Sequence, residues 1–468
     1  MQTMLTPQPR RGPAAGEGDI NLSPLRQAWQ QRHVGPAGRA MAEEDARLFL
    51  HQSVSSPCLT AIRRAEGIWI EDVDGRRAMD FHGNSVHHIG YGHPRLKAAI
   101  ARQMDDLPFA PRRYTNEPTI ALARKLAAIA PAGLEKVLFT SGGSDAIEVA
   151  LKLARAATGR FKTVSFWDSF HGAGFAAAGL GGEQMFRSGP VGPLLPGTEH
   201  VAPFACFRCP YGHRAAWPGP DLARCGMACA AYLRYVLDRE GDVAAVVAEP
   251  ARATATFAPP GYWQAVRRAC DEHGALLIFD EIPTGLGKTG AMFAAEHEGV
   301  VPDIVVLGKA LGGGMLPVAA VLCRAELDVG GDWAFGHYTH EKNPLIARAA
   351  LTTIEIIEDE GLVENARRIG ALALARLQDM ARTRPLIGEA RGRGLLLGVD
   401  LVADPETRIP AAEAAERVMY AALANGLSFK TSMGNVLVLS PPLTITAAEM
   451  HAALDILQTA IDAAARGG

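Results

Sequence analysis

The sequence predicts an α/β protein with a mainly parallel β-sheet. From about residue 80 to 345, short β-branched or apolar runs alternate with longer Ala- and Leu-rich helical stretches, and no internal repeat is visible. Four short runs lack alternating polar residues, which is typical of strands covered on both faces. These predicted central strands are residues 136–140, 243–248, 275–279 and 303–307.

The chain beyond residue 345 predicts a second, smaller α/β unit. A long helical pattern runs from residue 345 to about 382, and two strand-like runs follow at 394–401 and 436–439 before a closing helix. Towards the other end of the chain, residues 67–75 are predicted to form a hairpin.

These patterns divide the chain into four parts. Residues 1–24 contain prolines and glycines but no apolar core of a signal peptide, so we expect a flexible tail. We expect residues 25–75 to pack with the small domain. The large domain is predicted over residues 76–345 and the small C-terminal domain over residues 346–468.

Composition excludes several classes of function. The 468 residues are 48% hydrophobic and 21% charged, which is enough apolar material for a large core. A net charge of −3 argues against nucleic acid as the main partner, and no apolar stretch reaches the roughly 20 residues of a membrane span. Seven cysteines do not suggest a disulfide framework. We therefore expect a cytoplasmic protein with reduced thiols.

Asp280 is the first candidate functional residue. It follows five apolar residues, so it is predicted at the carboxyl end of a buried strand, where open parallel sheets bind ligands. A buried carboxylate requires a partner. A protonated pyridine nitrogen is a suitable one, because the carboxylate then keeps the ring electron-withdrawing. Taken alone, Asp280 is equally compatible with a helix cap.

Lys309 ends a second apolar run and precedes a glycine-rich segment. A lysine amine at a strand end, in an apolar environment, is the type of nucleophile that forms a Schiff base. A nucleotide-binding lysine is the alternative, but the Gly-x-x-x-x-Gly-Lys-Ser/Thr motif of such sites does not precede a helix here.

Residues 140–146 (Thr-Ser-Gly-Gly-Ser-Asp-Ala) lie between a predicted strand and a predicted helix. Small residues at a helix N-terminus leave backbone N–H groups open to an anion, which favours a phosphate site. Such turns also serve as plain helix caps, so this segment supports a phosphate site only in combination with Asp280 and Lys309.

In combination, these segments resemble the class III aminotransferases, from about residue 67 to 457. Residues 279–290 (Phe-Asp-Glu-Ile-Pro-Thr-Gly-Leu-Gly-Lys-Thr-Gly) resemble the family's Asp-Glu cofactor motif, and residues 308–310 (Gly-Lys-Ala) resemble its Schiff-base lysine motif. The resemblance implies pyridoxal 5′-phosphate (PLP) as cofactor and fold type I of the PLP-dependent transferases, with a large and a small α/β domain.

The resemblance also implies catalytic roles. Lys309 would carry the cofactor, Asp280 would bind its ring nitrogen, and Glu249 would lie near its phenolic side. Thr339 would reach the cofactor phosphate of a neighbouring subunit, which implies a homodimer or homotetramer.

Further cofactor contacts follow from the same resemblance. Gly143 and Ser144 would bind the phosphate. Phe170 and His171 would cover one face of the ring, and Ile282 would pack against the other.

Three departures from the family narrow the substrate. Pro283 replaces a glutamine expected near the cofactor, and residues 340–342 (His-Glu-Lys) replace Phe-Gly-Gly, as either substrate contacts or a subunit interface. Val438 stands where many members carry an arginine that binds a substrate carboxylate. Valine cannot form that bidentate contact. We therefore expect a substrate that lacks an α-carboxylate, or one whose anionic group is bound by residues at another position in the site.

Candidates for that other anion site are Arg112, Arg113, Asn84, His87, His88 and Lys430. For each residue alone, a surface or core-packing role is the alternative. Residues 81–84, 112–116 and 337–344 together resemble one class III branch, the (R)-1-hydroxy-2-aminoethylphosphonate ammonia-lyases. That branch implies a small primary amine as substrate and β-elimination to phosphonoacetaldehyde and ammonia, with Lys309 removing a proton.

Two alternatives stay open. The first is transamination of an ω-amine with pyruvate or 2-oxoglutarate, because Lys309 can serve both routes. The second is a non-catalytic binding protein with a zinc ribbon, since Cys206-x-x-Cys209 and Cys225-x-x-x-Cys229 approximate four-thiolate spacing. An ordinary cysteine-bearing loop explains the same spacing, and our prediction contains no metal ligand.

Overall fold

The computed structural model describes residues 23–52, 55–187, 189–216 and 219–466. The expected tail thus lies outside the described residues, except that Ser23 caps and Pro24 begins the first helix. Every described helix is too short or too polar to span a lipid bilayer. The helices are α1 (Pro24–His33), α2 (Pro36–Leu48), α3 (Pro94–Asp106), α4 (Glu117–Ile129), α5 (Gly143–Thr158), α6 (Phe175–Leu180), α7 (Leu222–Cys225), α8 (Ala228–Glu240), α9 (Tyr262–His273), α10 (Pro344–Asp359), α11 (Leu362–Thr383), α12 (Ala412–Ala424) and α13 (Ala447–Arg466).

The described strands form four sheets. In chain order they are β1 (Ile62–Glu66), β2 (Trp69–Asp72), β3 (Arg77–Asp80), β4 (Leu134–Thr140), β5 (Lys162–Phe166), β6 (Thr198–Val201), β7 (Val243–Ala248), β8 (Ala251–Arg252), β9 (Thr256–Phe257), β10 (Leu276–Asp280), β11 (Ile304–Leu307), β12 (Ala319–Arg324), β13 (Ile387–Arg393), β14 (Leu396–Asp404), β15 (Ile409–Pro410), β16 (Leu427–Ser428), β17 (Lys430–Ser432) and β18 (Val436–Leu439).

The largest sheet has seven strands in the order β4-β12-β11-β10-β7-β5-β6. Strand β12 is antiparallel to both of its neighbours, and the other pairs are parallel. The predicted α/β class with a mainly parallel sheet is therefore confirmed.

The central strands of this sheet lie close to their predicted positions. Every residue of β7 and β11 is buried, as expected for apolar strands that are covered on both faces. Full burial of a Val or Ile side chain contributes about 1.5–3 kcal/mol, so these strands anchor the core. Strand β10 is shifted by one residue from the prediction and includes Asp280, which pairs in register with Val306.

The C-terminal part differs from the prediction in two places. The helical pattern over residues 345–382 forms two helices, α10 and α11, because Gly361 has φ +62°, a left-handed conformation that glycine adopts readily. Strands β13, β14, β18 and β17 then form an antiparallel sheet, with β15 paired to β14. Strand β13 was not predicted, and Gly394 (φ +54°) forms the turn before β14.

The N-terminal strands β1, β2 and β3 form an antiparallel meander. The predicted hairpin over residues 67–75 is instead a single strand, β2, with a turn at each end. Strand β3 pairs in parallel with β16, so the N-terminal strands share a sheet with residues from the C-terminal part of the chain. The proposed division into a large and a small domain stays a prediction.

Two glycines allow α11 to pack closely against the turn before β14. A Cβ on Gly370 would lie 1.9 Å from the carbonyl oxygen of Gly394, and a Cβ on Gly394 would lie 2.3 Å from the carbonyl carbon of Thr289. Both neighbours are backbone atoms that cannot rotate away. The N–H of Leu395 also donates to the carbonyl of Lys288 at 2.9 Å. Helix α11 is thus held close to the segment that follows Asp280.

We predict that Gly370→Ala lowers the free energy of unfolding by about 1–3 kcal/mol or more, because the added methyl overpacks a backbone contact. The matched control is Ala371→Gly at the exposed neighbouring position, which should cost no more than about 1 kcal/mol of helix propensity. Denaturant unfolding of both variants measures the difference. Wild-type stability of Gly370→Ala would contradict the close contact.

Glu281, directly after β10, contacts the backbone of residues 294 and 295 through its carboxyl group. Its two oxygens accept the N–H groups of Ala294 at 2.7 Å and Ala295 at 2.8 Å, and the residue is 1% exposed. Burial raises the pKa of Glu281 to about 8, although the two N–H bonds act in the opposite direction.

A pH dependence of stability follows. The unfolded chain releases the Glu281 proton near pH 4.5 and the folded chain near pH 8, so the folded state binds more protons between these values. The contribution of Glu281 is therefore fully present below pH 4.5 and is lost as the pH rises through 8. We predict a flatter stability profile across this window for Glu281→Gln, measured by urea unfolding. Parallel profiles for variant and wild type would be inconsistent with this assignment.

Candidate active site

The predicted catalytic residues lie at one edge of the seven-stranded sheet. Strands β7, β10 and β11 are adjacent and parallel, so Glu249, Asp280 and Lys309 lie at or just beyond three neighbouring carboxyl ends. Open parallel sheets bind ligands at this edge. The structure therefore brings the three residues to a common region.

Asp280 is bonded to His171. Nδ1 of His171 donates to one oxygen of Asp280 at 2.8 Å, and the N–H of Ile282 donates to the other oxygen at 3.0 Å. Both Asp280 and His171 are 2% exposed, and Nε2 of His171 has no hydrogen-bond partner among the described residues. A carboxylate oxygen has more than one lone pair, so Asp280 can accept a further donor.

Lys309 has an uncommon backbone conformation. Its φ is +45°, in the left-handed region, which costs on the order of 1–2 kcal/mol for a residue with a Cβ. Gly308 before it is tightly enclosed, because a Cβ there would lie 3.3 Å from Ile282 and 3.4 Å from Ala319. Conformations of this kind persist where the surroundings fix them, and they cluster at functional sites.

The N-terminus of α5 is packed against the same region. The helix begins at Gly143 with no side-chain cap, so its first N–H groups are available to an anion. A Cβ on Gly143 would lie 2.8 Å from Ile282, and a Cβ on Gly172 would lie 2.6 Å from the hydroxyl oxygen of Ser144. That hydroxyl accepts the N–H of Ala173 at 3.1 Å. Only glycine fits these two positions without a shift.

The remaining predicted cofactor residues differ in their surroundings. Glu249 is 3% exposed, and its Oε2 accepts the N–H of Ala253 at 2.7 Å. Phe170 is partly buried and packs on Phe186 with ring centroids 4.7 Å apart. Thr339 is exposed. Its reach to a neighbouring subunit stays a prediction.

Arg112 and Arg113 lie on the exposed surface beside the segment that contains Thr339. Arg112 is 3.8 Å from the carboxylate of Glu341, and Nδ2 of Asn116 donates to the carbonyl of Lys342 at 2.9 Å. Arg112 therefore forms its described ion pair with Glu341, in the segment that contains Thr339. This partner does not lie at the sheet edge.

Asp80, the last residue of β3, forms hydrogen bonds with the segment that contains Asn84 and His87, two of the predicted anion-binding residues. Its Oδ1 accepts the N–H groups of His82 at 2.9 Å and Gly83 at 3.1 Å, and Nε2 of His87 donates to its carbonyl at 3.0 Å. His87 is fully buried, and burial lowers its pKa to about 4, which favours a packing role. Asn84 is exposed, with φ +46°.

Lys430 lies on strand β17, directly opposite Val438 of β18. The prediction from sequence included Lys430 but missed two other polar residues, His82 and Lys288. Nζ of Lys288 donates to the carbonyl of Pro441 at 2.7 Å, and burial lowers the pKa of Lys288 to about 7. Both residues lie inside segments that carry the family resemblance, His82 within residues 81–84 and Lys288 within residues 279–290, and this position was the available signal.

The four cysteines of the zinc alternative do not form a metal site in the described chain. Among residues 23–52, 55–187, 189–216 and 219–466, no group of three or more His, Cys, Asp or Glu residues is placed to hold a metal ion. Burial raises the pKa of Cys206 to about 12 and of Cys229 to about 11. Both residues are free thiols.

Comparison with known proteins agrees with the resemblance noted from the motifs. The family model for class III aminotransferases matches residues 51–461. An (R)-1-hydroxy-2-aminoethylphosphonate ammonia-lyase from Vibrio splendidus is 43% identical over 95% of this chain and 94% of its own, and a leucine/methionine racemase from Thermococcus litoralis is 38% identical over 90% and 94%. The PLP-bound amine transaminase of an uncultivated Pseudomonas species superposes with a TM-score of 0.81, at 33% identity, over 90% of this chain and 99% of that one.

The residues present fit PLP. The buried Asp280 carboxylate suits a protonated ring nitrogen, the uncapped start of α5 suits a phosphate, and the Lys309 amine suits an aldehyde. The chain therefore belongs to the class III aminotransferase family and is a PLP-dependent enzyme of fold type I.

Proposed function

We propose that this enzyme is an ammonia-lyase that acts on (R)-1-hydroxy-2-aminoethylphosphonate. The observation that carries the proposal is the 43% identity, over 95% of the chain, to the Vibrio splendidus lyase. The racemase and the amine transaminase are 38% and 33% identical to this chain. The expected products are phosphonoacetaldehyde and ammonia.

The surroundings of Val438 support a substrate without an α-carboxylate. Val438 is 2% exposed and belongs to an apolar cluster. Neither valine nor the other members of this cluster can form the bidentate bonds by which arginine binds a carboxylate. The other buried members of this cluster are Ala251, Ala255, Phe257, Ala294, Leu396 and Val436.

The chain's own groups would act in sequence. When PLP is bound, it supplies an electron sink for the carbon that carries the amino group of the substrate. Asp280, oriented by His171, holds the proton on the ring nitrogen, and Ser144 with the first N–H groups of α5 holds the phosphate. Lys309 binds the cofactor in the resting enzyme, and its Nζ then accepts the proton from the substrate carbon.

The balance of the reaction requires no second substrate. Loss of that proton and of the β-hydroxyl group removes one water, and hydrolysis of the resulting unsaturated amine consumes one water. The amino alcohol is thus converted into an aldehyde and ammonia without an oxidant or a keto acid.

An ω-amine transaminase is the second candidate, and the superposition on an amine transaminase with a TM-score of 0.81 favours it. In that case pyruvate or 2-oxoglutarate would be required as amino acceptor. For either reaction we propose a homodimer or homotetramer, in which the exposed Thr339 faces the cofactor phosphate of a neighbouring subunit.

The first prediction of this proposal concerns ammonia. Holoenzyme mixed with racemic 1-hydroxy-2-aminoethylphosphonate, with no keto acid, should release ammonia over many turnovers. An enzymatic ammonia assay measures the rate, with propylamine as the control amine without a β-hydroxyl. Release that is at most stoichiometric, together with turnover of an ω-amine that depends on pyruvate or 2-oxoglutarate, would assign the enzyme as a transaminase.

The second prediction concerns the lysine. Borohydride reduction of the wild-type holoenzyme should add the mass of the reduced cofactor to the peptide that contains Lys309, because reduction makes the Schiff base permanent. Lys309→Ala should show no such adduct, whereas Lys152→Ala on the exposed face of α5 should retain it. An adduct on another lysine in the wild type would reject the assignment.

A further inference from the structure

The backbone around His82 is fixed from both sides. The N–H of Phe81 donates to the carbonyl of Ser428 at 2.8 Å, and the N–H of Ser440 donates to the carbonyl of Phe81 at 2.7 Å. The N–H of His82 itself donates to the carboxylate of Asp80 at 2.9 Å. His82 therefore begins a loop that is anchored between the ends of β16 and β18.

Strands β3 and β16 are parallel, so the chain leaves both strands in the same direction. It continues from β3 to His82 and from β16 to Lys430. Asp80 is paired with Ser428, and His82 and Lys430 lie two residues further along their respective segments. The register of β17 with β18 then places Lys430 opposite Val438. A cationic side chain is thus carried by the strand next to the apolar Val438.

Several charged side chains act on the pKa of the His82 imidazole. Burial lowers the pKa of His82 to about 3, and the Lys430 ammonium is the next largest cause. Asp80 acts in the opposite direction, while His87 and Lys309 lower the pKa further. The turn Gly83–Ser85, directly after His82, also packs against the turn Lys309–Gly312. Two lysines and one carboxylate therefore act on the His82 imidazole, and the cations dominate.

We propose that His82 and Lys430 bind the phosphonate group of the substrate. The proposal rests on the proposed function and deepens it, because it assigns the anion site. A phosphonate dianion accepts hydrogen bonds from an ammonium group and an imidazole N–H. Its charge also offsets the unfavourable interaction of the imidazole with Lys430 and Lys309. Proximity to Lys309 suits a short substrate in which two carbons separate the amine from the phosphonate.

The test uses methylphosphonate, a probe that cannot react. Isothermal titration of the wild-type holoenzyme should show saturable binding. Binding should weaken about ten-fold or more in His82→Gln and in Lys430→Met, since each removes a hydrogen bond to a charged group. Lys430→Arg, which keeps the cation, should retain most of the affinity. The visible absorbance of the bound cofactor verifies that each variant is loaded, which separates a binding effect from misfolding.

Two controls repeat the same chemical changes at exposed positions. Lys97→Met on α3 and His451→Gln on α13 should bind methylphosphonate like the wild type. Unchanged affinity in both His82→Gln and Lys430→Met, or no saturable binding by the wild type, would overturn the inference. A loss confined to Arg112→Ala or Arg113→Ala would assign the anion to those arginines instead.

The outcomes also separate this inference from the proposed function. Methylphosphonate binding that depends on His82 and Lys430, without release of ammonia from the hydroxylated substrate, would support the anion site and reject the lyase reaction. Sustained ammonia release in the wild type, combined with normal methylphosphonate binding in both variants, would support the lyase and reject the anion site.

Discussion

The buried carboxylate of Asp280 is the constraint on which the active site depends. A charged group with 2% exposure is costly unless it is compensated, and the bond to His171 provides one partner at 2.8 Å. His171 precedes Gly172, which packs on Ser144 at the start of α5. The second carboxylate oxygen accepts the N–H of Ile282. The carboxylate thus joins a strand end to the loop of His171, and Gly172 of the same loop contacts the start of α5.

The features that sequence analysis predicted correctly are local ones. Strands β7 and β11 are continuous apolar runs, and the residues that follow such runs necessarily emerge at the sheet edge, so the position of Lys309 could be predicted. The break between α10 and α11 was missed because a single Gly361 interrupts an otherwise continuous helical pattern. Strand β13 was missed because it carries buried charges, with Arg391 2.6 Å from Glu389 and 3.4 Å from Asp400, and therefore has a polar sequence.

The surroundings of His82 could not be predicted in the same way. His82 and Lys430 are far apart in sequence, and only the pairing of β3 with the two-residue strand β16 relates them. So short a strand leaves no periodic pattern that could be recognised. The role of the strand is positional, because it joins the N-terminal meander to the C-terminal segment that carries Lys430.

The separation of the sheets has a consequence for how enzymes on this scaffold diverge. Asp280 and Lys309 belong to the seven-stranded sheet, whereas Lys430 and Val438 belong to the C-terminal antiparallel sheet. With the proposed anion site on β17, exchanges of side chains on β17 and β18 would alter which amine is accepted without disturbing the bonds that orient Asp280. Choice of the amine and retention of the cofactor would then be divided between two sheets, so that each could vary without the other.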